Sequence, residues 1–335
     1  STHPPRRLAR TGEEVIDIKA LQGQVKLLVT DLAQVAAEPG ELRDELRREY
    51  EAAFRNRRTG GTYETWLTDV LDQAAVAWVL GCVFVRFCED NALVEPIWIG
   101  GDDPQAPANR ARQAQQAYLV KNPLHNDRHW LREAFAYLRD LPATGRLFGE
   151  HNPVWRFDIT ADAAEALLDF FRHRAGAVPL RSPGLETRFL GDLYQELSVE
   201  AQERYALFQT PEFVEEFILD RTFEPAVAEF GLAETKVIDP ACGSGHFLLG
   251  AFNRLVKAWV KREPATDIRV IVERALSQVT GVDINPFAVA IARFRLLVAA
   301  LKVCGVSSLE RMPRFDVRVA VGDSLLRWGE QSSHQ

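Results

Sequence analysis

The sequence predicts an α/β protein, in which a helical N-terminal half precedes a domain built on a small parallel sheet. Two observations carry this. Through the first half, apolar residues recur every three or four positions, the period of a helix with one buried face. Beyond residues 176–184 the texture changes to short β-branched runs separated by helix-length amphipathic stretches. That alternation implies parallel strands joined by right-handed helical crossovers.

The elements follow in order. Val15, Ile18, Leu21, Val25, Leu28, Leu32 and Val35 form one apolar stripe, suited to coiled-coil-like packing, and Pro39-Gly40 ends it. Leu42, Leu46, Tyr50 and Phe54 mark a second, heavily charged helix closed by Gly60-Gly61. A third helix is expected from Thr62 to Asp90, apolar nearly all round in its second half and therefore central to its domain. Pro96 to Asn109 is rich in Gly, Asp and Pro and predicts a loop; helices are expected over 110–120, 127–140 and 161–174. Residues 176–184 have linker composition, which gives a helical domain over 1–184 and a second domain over 185–335. In the latter, strands are expected at Val237-Ile238, Gln278–Val282 and Val317–Val321. Phe247, Leu248, Ala251, Phe252, Leu255, Val256 and Trp259 form one helix face between them, and Phe287, Ile291, Phe294, Val298 and Leu301 another.

Composition narrows the function classes. With 335 residues, 47% hydrophobic and 26% charged, the chain has the material for two folded domains. A net charge of −7 excludes coating nucleic acid through overall charge, so any DNA contact must use a local basic surface. Cys82, Cys88, Cys242 and Cys304 form no CxxC pair and no histidines stand at zinc-ligand spacing, which predicts a reduced cytoplasmic protein without structural metal. The apolar run Ala74–Val85 falls short of a membrane span and reads as a core helix, and no apolar segment follows the arginines of the N-terminus to make a signal peptide.

The chemistry concentrates at the strand ends. In a parallel sheet, ligands bind beyond the carboxyl ends of the strands, where Asp239, Asp283 and Asp323 all fall. Taken singly, each could merely terminate a strand or cap a helix. Gly243 and Gly245, between the first strand and its helix, permit a tight turn and close approach to a ligand. A dinucleotide fingerprint wants a small residue where Leu248 stands, which disfavours NAD. Three carboxylates suit instead a methyl donor that lacks pyrophosphate and offers an amino acid moiety, ribose hydroxyls and an adenine amine.

The residue pattern then resembles a family. Asp239-Pro-Ala-Cys-Gly-Ser-Gly-His-Phe-Leu248 resembles motif I of adenine-specific DNA methyltransferases, which implies that Asp239, Ala241, Cys242, Gly243 and Gly245 hold the methionine end of S-adenosyl-L-methionine. Gly281-Val-Asp-Ile-Asn-Pro286 resembles motif II, implying Asp283 on the ribose hydroxyls and Ile284 against the adenine ring. Val321-Gly-Asp-Ser-Leu325 resembles motif III, implying that Asp323 accepts from the adenine amine, with Ser324 in the same segment. Phe208-Gln-Thr-Pro-Glu-Phe213 is similar to the Tyr-Thr-Pro segment of the family, implying Phe208, Thr210 and Pro211 over the methionine end. The motif order matches the gamma arrangement. In the helical half, Ala77-Trp-Val-Leu80 and Arg86-Phe-Cys-Glu-Asp-Asn91 resemble PglX-type methyltransferases of type 2 BREX phage-defence systems. The resemblance implies a Rossmann-like methyltransferase domain, adenine-N6 transfer to double-stranded DNA, and phage-defence proteins as further partners.

The family's acceptor motif, Asn/Asp-Pro-Pro-Tyr/Phe, occurs nowhere in the sequence, so no catalytic residue is assigned. The expectation is a fragment, inactive by itself, with its first strand lacking a neighbour on one side. A scaffold with a remnant cofactor site, and a methyltransferase acting on RNA or a small molecule, stand as alternatives. Among the remaining features, Cys242 reads as steric, and His246 as either a ligand contact or a capping residue. Trp66, Trp78, Trp130 and Trp155 read as core, His125 and His129 as structural, and Arg55, Arg57 and Arg58, interleaved with acids, as a solvated face.

Overall fold

The computed structural model describes residues 16–100, 107–174, 176, 178–182, 185–197 and 210–325. They fall into two compact units. One runs through Leu138 and takes in Glu150–Arg181, Glu196 and Leu197; the other takes in Arg139–Gly149, Ser182–Gln195 and the described residues from Thr210 onward.

In the first unit the helical periodicity is realised with small shifts at the ends. Helix α1 (Ile18–Ala37) is capped by the Asp17 carboxylate, which accepts from the Lys19 N–H, and buries Leu21, Val25, Leu28 and Leu32 against α3. Helix α2 (Glu41–Arg55) buries only Leu46 and stops at Arg55, ahead of the expected Gly60-Gly61. Helix α3 (Tyr63–Asp90) starts at the Thr62 cap and is buried at every position from Ala74 to Cys88. By length and composition this helix could cross a membrane, but 83% of its most apolar stretch is buried by the protein, in keeping with the expected core helix. Gly81 permits the close packing there, since a Cβ would stand 2.7 Å from the Phe135 ring. Helices α4 (Pro107–Lys121), α5 (Asp127–Asp140) and α6 (Ala161–His173) complete the set, with a 3-10 turn at Pro153–Trp155.

The Arg86–Asn91 segment is a clamp for surrounding backbone. Buried Arg86 donates to the Phe171 carbonyl at 2.5 Å and pairs with Asp90, which also accepts from the Leu180 N–H. Asn91 donates to the Leu180 carbonyl. Glu89 accepts from the amides of Trp98, Ile99 and Gly100, so the loop after α3 is tied to the helix by one carboxylate. These buried groups satisfy backbone that would otherwise lose its hydrogen bonds.

The second unit carries all but the last two residues of α7 (Arg188–Leu197), and α8 (Glu212–Phe230), β1 (Val237–Asp239), α9 (His246–Arg262), α10 (Ile268–Ser277), β2 (Val279–Asp283), α11 (Pro286–Val303) and β3 (Arg318–Val321). The strands are parallel in the order β1-β2-β3, with Val237 opposite Val279 and Thr280 opposite Arg318. The second strand is shifted one residue from its expected span. Gln278 ends α10 instead of opening the strand, and its side chain accepts from Trp259 Nε1 and donates to the carbonyls of Leu232 and Thr235. Helices α7, α8 and α10 were not individually expected. Among the described strands β1 lies at the edge, with Ile238 67% exposed.

Candidate functional site

The site is built where the strands end. Strand β1 delivers Asp239, whose Oδ1 accepts from the Ala241 N–H at 3.1 Å and so closes the first bend of the turn. The Cys242 N–H then reaches back to the Val282 carbonyl, and the Gly245 N–H bonds the Cys242 carbonyl. Gly243 and Gly245 adopt φ values of 51° and 84°, the left-handed region that favours glycine. At Gly245 a Cβ would also stand 2.9 Å from that of Ala292 in α11.

Strand β2 delivers Asp283, which is buried and bridges the two segments. Its Oδ2 accepts from the Gly243 N–H at 2.8 Å and its Oδ1 from the Asn285 N–H at 2.9 Å. Burial pushes the Asp239 carboxyl above the usual carboxylate range; the Ala241 N–H opposes this and the Asp283 charge reinforces it. Ile284, directly beyond β2, leaves 54% of its surface exposed at the strand end. The Gly322 N–H bonds the Asp283 carbonyl and thereby seats the third segment, where half-buried Asp323 accepts from Leu325 N–H at 2.9 Å and Ser324 is exposed. Asp239, Ala241, Cys242, Gly243, Gly245, Asp283, Ile284 and Asp323 thus occupy one end of the sheet. Thr210 and Pro211 precede α8, and Phe208 lies outside the described residues.

Cys242 is buried, and burial together with Asp239 and Asp283 holds its thiol well above the usual range. It packs beside Gly281, where a Cβ would lie 3.0 Å from its sulfur and 2.5 Å from Leu248 Cδ1. That supports a steric role. His246 is buried as well; burial, with Arg295 and Arg188 nearby, lowers its pKa to about 3. Its Nε2 lies 3.5 Å from Asp192, and with the imidazole neutral this is not an ion pair.

Helix α7 carries residues that pattern reading did not single out. Arg188 donates to the Thr210 carbonyl at 2.6 Å and pairs with Glu215 of α8. Gly191 faces the Ser244 side chain so closely that a Cβ there would overlap its hydroxyl. Tyr194 Oη accepts from Asn285 Nδ2 at 2.8 Å, and its ring stacks on Phe287. From α11, buried Arg295 donates to the Ser244 carbonyl at 2.6 Å. One short helix therefore touches the segment before α8, the glycine turn and the cap of α11. None of these contacts joins sequence neighbours, so no local motif could have disclosed them.

Chemically, this end of the sheet offers one buried and two half-buried carboxylates that accept hydrogen bonds, a turn with no side chains at its glycines, and one exposed aliphatic surface. Among the described residues it offers no activated nucleophile. Comparison with known proteins is consistent with that chemistry. Residues 228–313 match the family model described as the MmeI DNA-methyltransferase domain. Over 335 residues the chain is 48% identical to the adenine-specific methyltransferase PglX of Streptomyces coelicolor, an alignment covering 95% of this chain and 28% of that protein. The chain is a relative of PglX. RM.MjaORFECS2P of Methanocaldococcus jannaschii, named as a type II restriction enzyme and methyltransferase, is 24% identical over 80% of this chain and 29% of its own. The chain thus spans less than a third of the length of either PglX or this archaeal relative. The solved structure of the Type IIL restriction-modification enzyme MmeI in complex with DNA aligns over 95% of this chain and 42% of its own, at 16% identity and a TM-score of 0.43.

Proposed function

We propose that this chain is the donor-binding part of an S-adenosyl-L-methionine-dependent methyltransferase that acts on the N6 amine of adenine in double-stranded DNA. On this reading residues 1–184 form a helical N-terminal domain, and residues 185–335 the first half of a Rossmann-like methyltransferase domain. The observation that carries it is the junction of the glycine turn with Asp239 and Asp283, tied through the Gly243 N–H, inside the segment that matches a methyltransferase family.

The residues present fit the cofactor. Gly243 and Gly245 leave the turn without side chains, exposed Ile284 supplies an aliphatic face for a purine, and the carboxylates are acceptors for hydroxyl and amine groups. Asp239, Ala241, Cys242, Gly243 and Gly245 would hold the methionine end, together with Phe208, Thr210 and Pro211; Asp283 the ribose; Ile284, Asp323 and Ser324 the adenine. Bound there, S-adenosyl-L-methionine supplies an electrophilic methyl group. The chain's contribution is orientation: Asp283 fixes the turn and Arg295 fixes Ser244, so the donor meets a site that does not have to reorganise. The acceptor adenine would be rotated out of the duplex.

The relationship to PglX favours a cytoplasmic enzyme of a BREX-type phage-defence system, working with other defence proteins. The test is methyl transfer by the whole protein. With radiolabelled S-adenosyl-L-methionine and duplex DNA, label recovered in N6-methyladenosine after digestion supports the proposal. Label in cytosine or only in RNA, or no label in a preparation that binds the donor, overturns it.

A further inference from the structure

The end of α2 and the start of α3 bring four rings and four guanidinium groups together. Tyr50 lies against Phe54, Tyr63 and Trp66, with ring centroids 5.5 to 6.0 Å apart, and Arg47 covers the Tyr63 ring at 4.8 Å. Beside them, Phe54, Arg55, Arg57, Arg58, Thr59 and Gly60 line one shallow concavity. Phe54 is 55% exposed, and all three of these arginines are exposed.

Three of the acids in α2 are drawn to other partners. Glu45 and Glu49 turn to Arg156 of another segment, at 3.6 and 2.8 Å, and Asp44 lies 3.6 Å from Arg43. Among the described residues, Arg55, Arg57 and Arg58 have no ion pair, in a chain of net charge −7. A basic residue at a helix C-terminus complements the helix dipole, which accounts for Arg55 and not for the two arginines beyond it.

Backbone conformation sets where these arginines stand. The Arg58 N–H bonds the Ala53 carbonyl, closing the helix with Arg57 at φ 56°. Helices usually place glycine or asparagine at such a left-handed closing position. An arginine held there carries a backbone cost that glycine would not.

We propose that the Phe54–Arg58 surface binds a nucleic-acid strand, with phosphates on Arg55, Arg57 and Arg58 and an unpaired base against the Phe54 ring. This is the chemistry of single-strand platforms, in which cations track the backbone and an aromatic face takes any base. The surface lies in the helical unit and does not depend on the cofactor reading.

The experiment is fluorescence anisotropy with a labelled single-stranded oligonucleotide across a salt series. The triple variant Arg55→Gln, Arg57→Gln, Arg58→Gln is expected to bind roughly tenfold or more weakly, with a log-affinity against log-salt slope shallower by about 2. The corresponding lysine variant should keep the slope. Phe54→Ala should weaken binding about fivefold or more. Arg57→Gly separates binding from structure: the melting temperature should hold or rise while affinity falls. Unchanged affinity and slope in the triple glutamine variant overturn the proposal. So does an Arg57→Gly protein that melts lower and binds equally well. Loss of binding to anionic vesicles, with oligonucleotide binding unaffected, also overturns it.

Discussion

Replacing Gly245 by alanine tests whether the glycine turn is dictated by backbone conformation, by packing, or by both. At φ 84° an L-residue pays about 1–2 kcal/mol for left-handed geometry. The added Cβ would also lie 2.9 Å from Ala292 Cβ and 3.3 Å from Ala292 Cα, inside the fully buried face of α11. Forcing one carbon into such a contact costs a further ~1–3 kcal/mol. Gly305, at φ 65° with nothing within 4 Å of its would-be Cβ, carries the backbone term alone. Urea denaturation of both variants should therefore give about 2–5 kcal/mol for Gly245→Ala and ~1–2 kcal/mol for Gly305→Ala. Adding Ala292→Gly to Gly245→Ala should recover most of the packing term, seen as a favourable coupling in the double-mutant cycle. Equal costs for the two glycines, or no coupling with position 292, would refute the packing argument.

Three further outcomes follow from the same geometry. His246 is neutral in the fold, with a pKa of about 3 against 6.5 for the free side chain, so the unfolded chain binds the extra proton between those values. Stability should fall as pH drops from 6.5 toward 3, by up to ~1.4 kcal/mol per pH unit from this group, and His246→Gln should flatten that portion of a urea-midpoint profile. An unaltered profile would show that the imidazole is not held neutral. Tyr194→Phe strands the buried Asn285 amide, and should cost about 1–3 kcal/mol in the same denaturation assay while leaving the stacking on Phe287 in place. Arg295→Lys should cost less than Arg295→Met, because only lysine can still donate to the Ser244 carbonyl; equal losses would mean that the bond is not what holds the turn.

The elements legible in the sequence are those whose cause is local. The α1 stripe, the apolar second half of α3 and the strand-ending acids are written in adjacent residues, and each stands within a residue or two of where it was expected. What escaped depends on partners far along the chain. Tyr194 meets Asn285 across 91 positions and Arg295 meets Ser244 across 51, so α7 and Arg295 look unremarkable until folded. Gln278 shows the same effect in miniature: its backbone N–H caps a helix, and its side chain bonds Trp259, Leu232 and Thr235, the last two more than 40 positions away. The arginines at the end of α2 are exposed, as their interleaving with acids predicts, but the sequence does not show that Glu49 is taken by Arg156, 107 positions away.

Isothermal titration of S-adenosylhomocysteine into the protein and into its Ile284→Asp variant bears most directly on the donor site. Ile284 is more than half exposed, so the substitution leaves the core intact and removes only the proposed adenine face. The expected result is binding by the parent protein and affinity lower by roughly tenfold or more in the variant, at an unchanged melting temperature. No binding by the parent, or equal affinity in the two, would contradict the assignment of this end of the sheet to the cofactor.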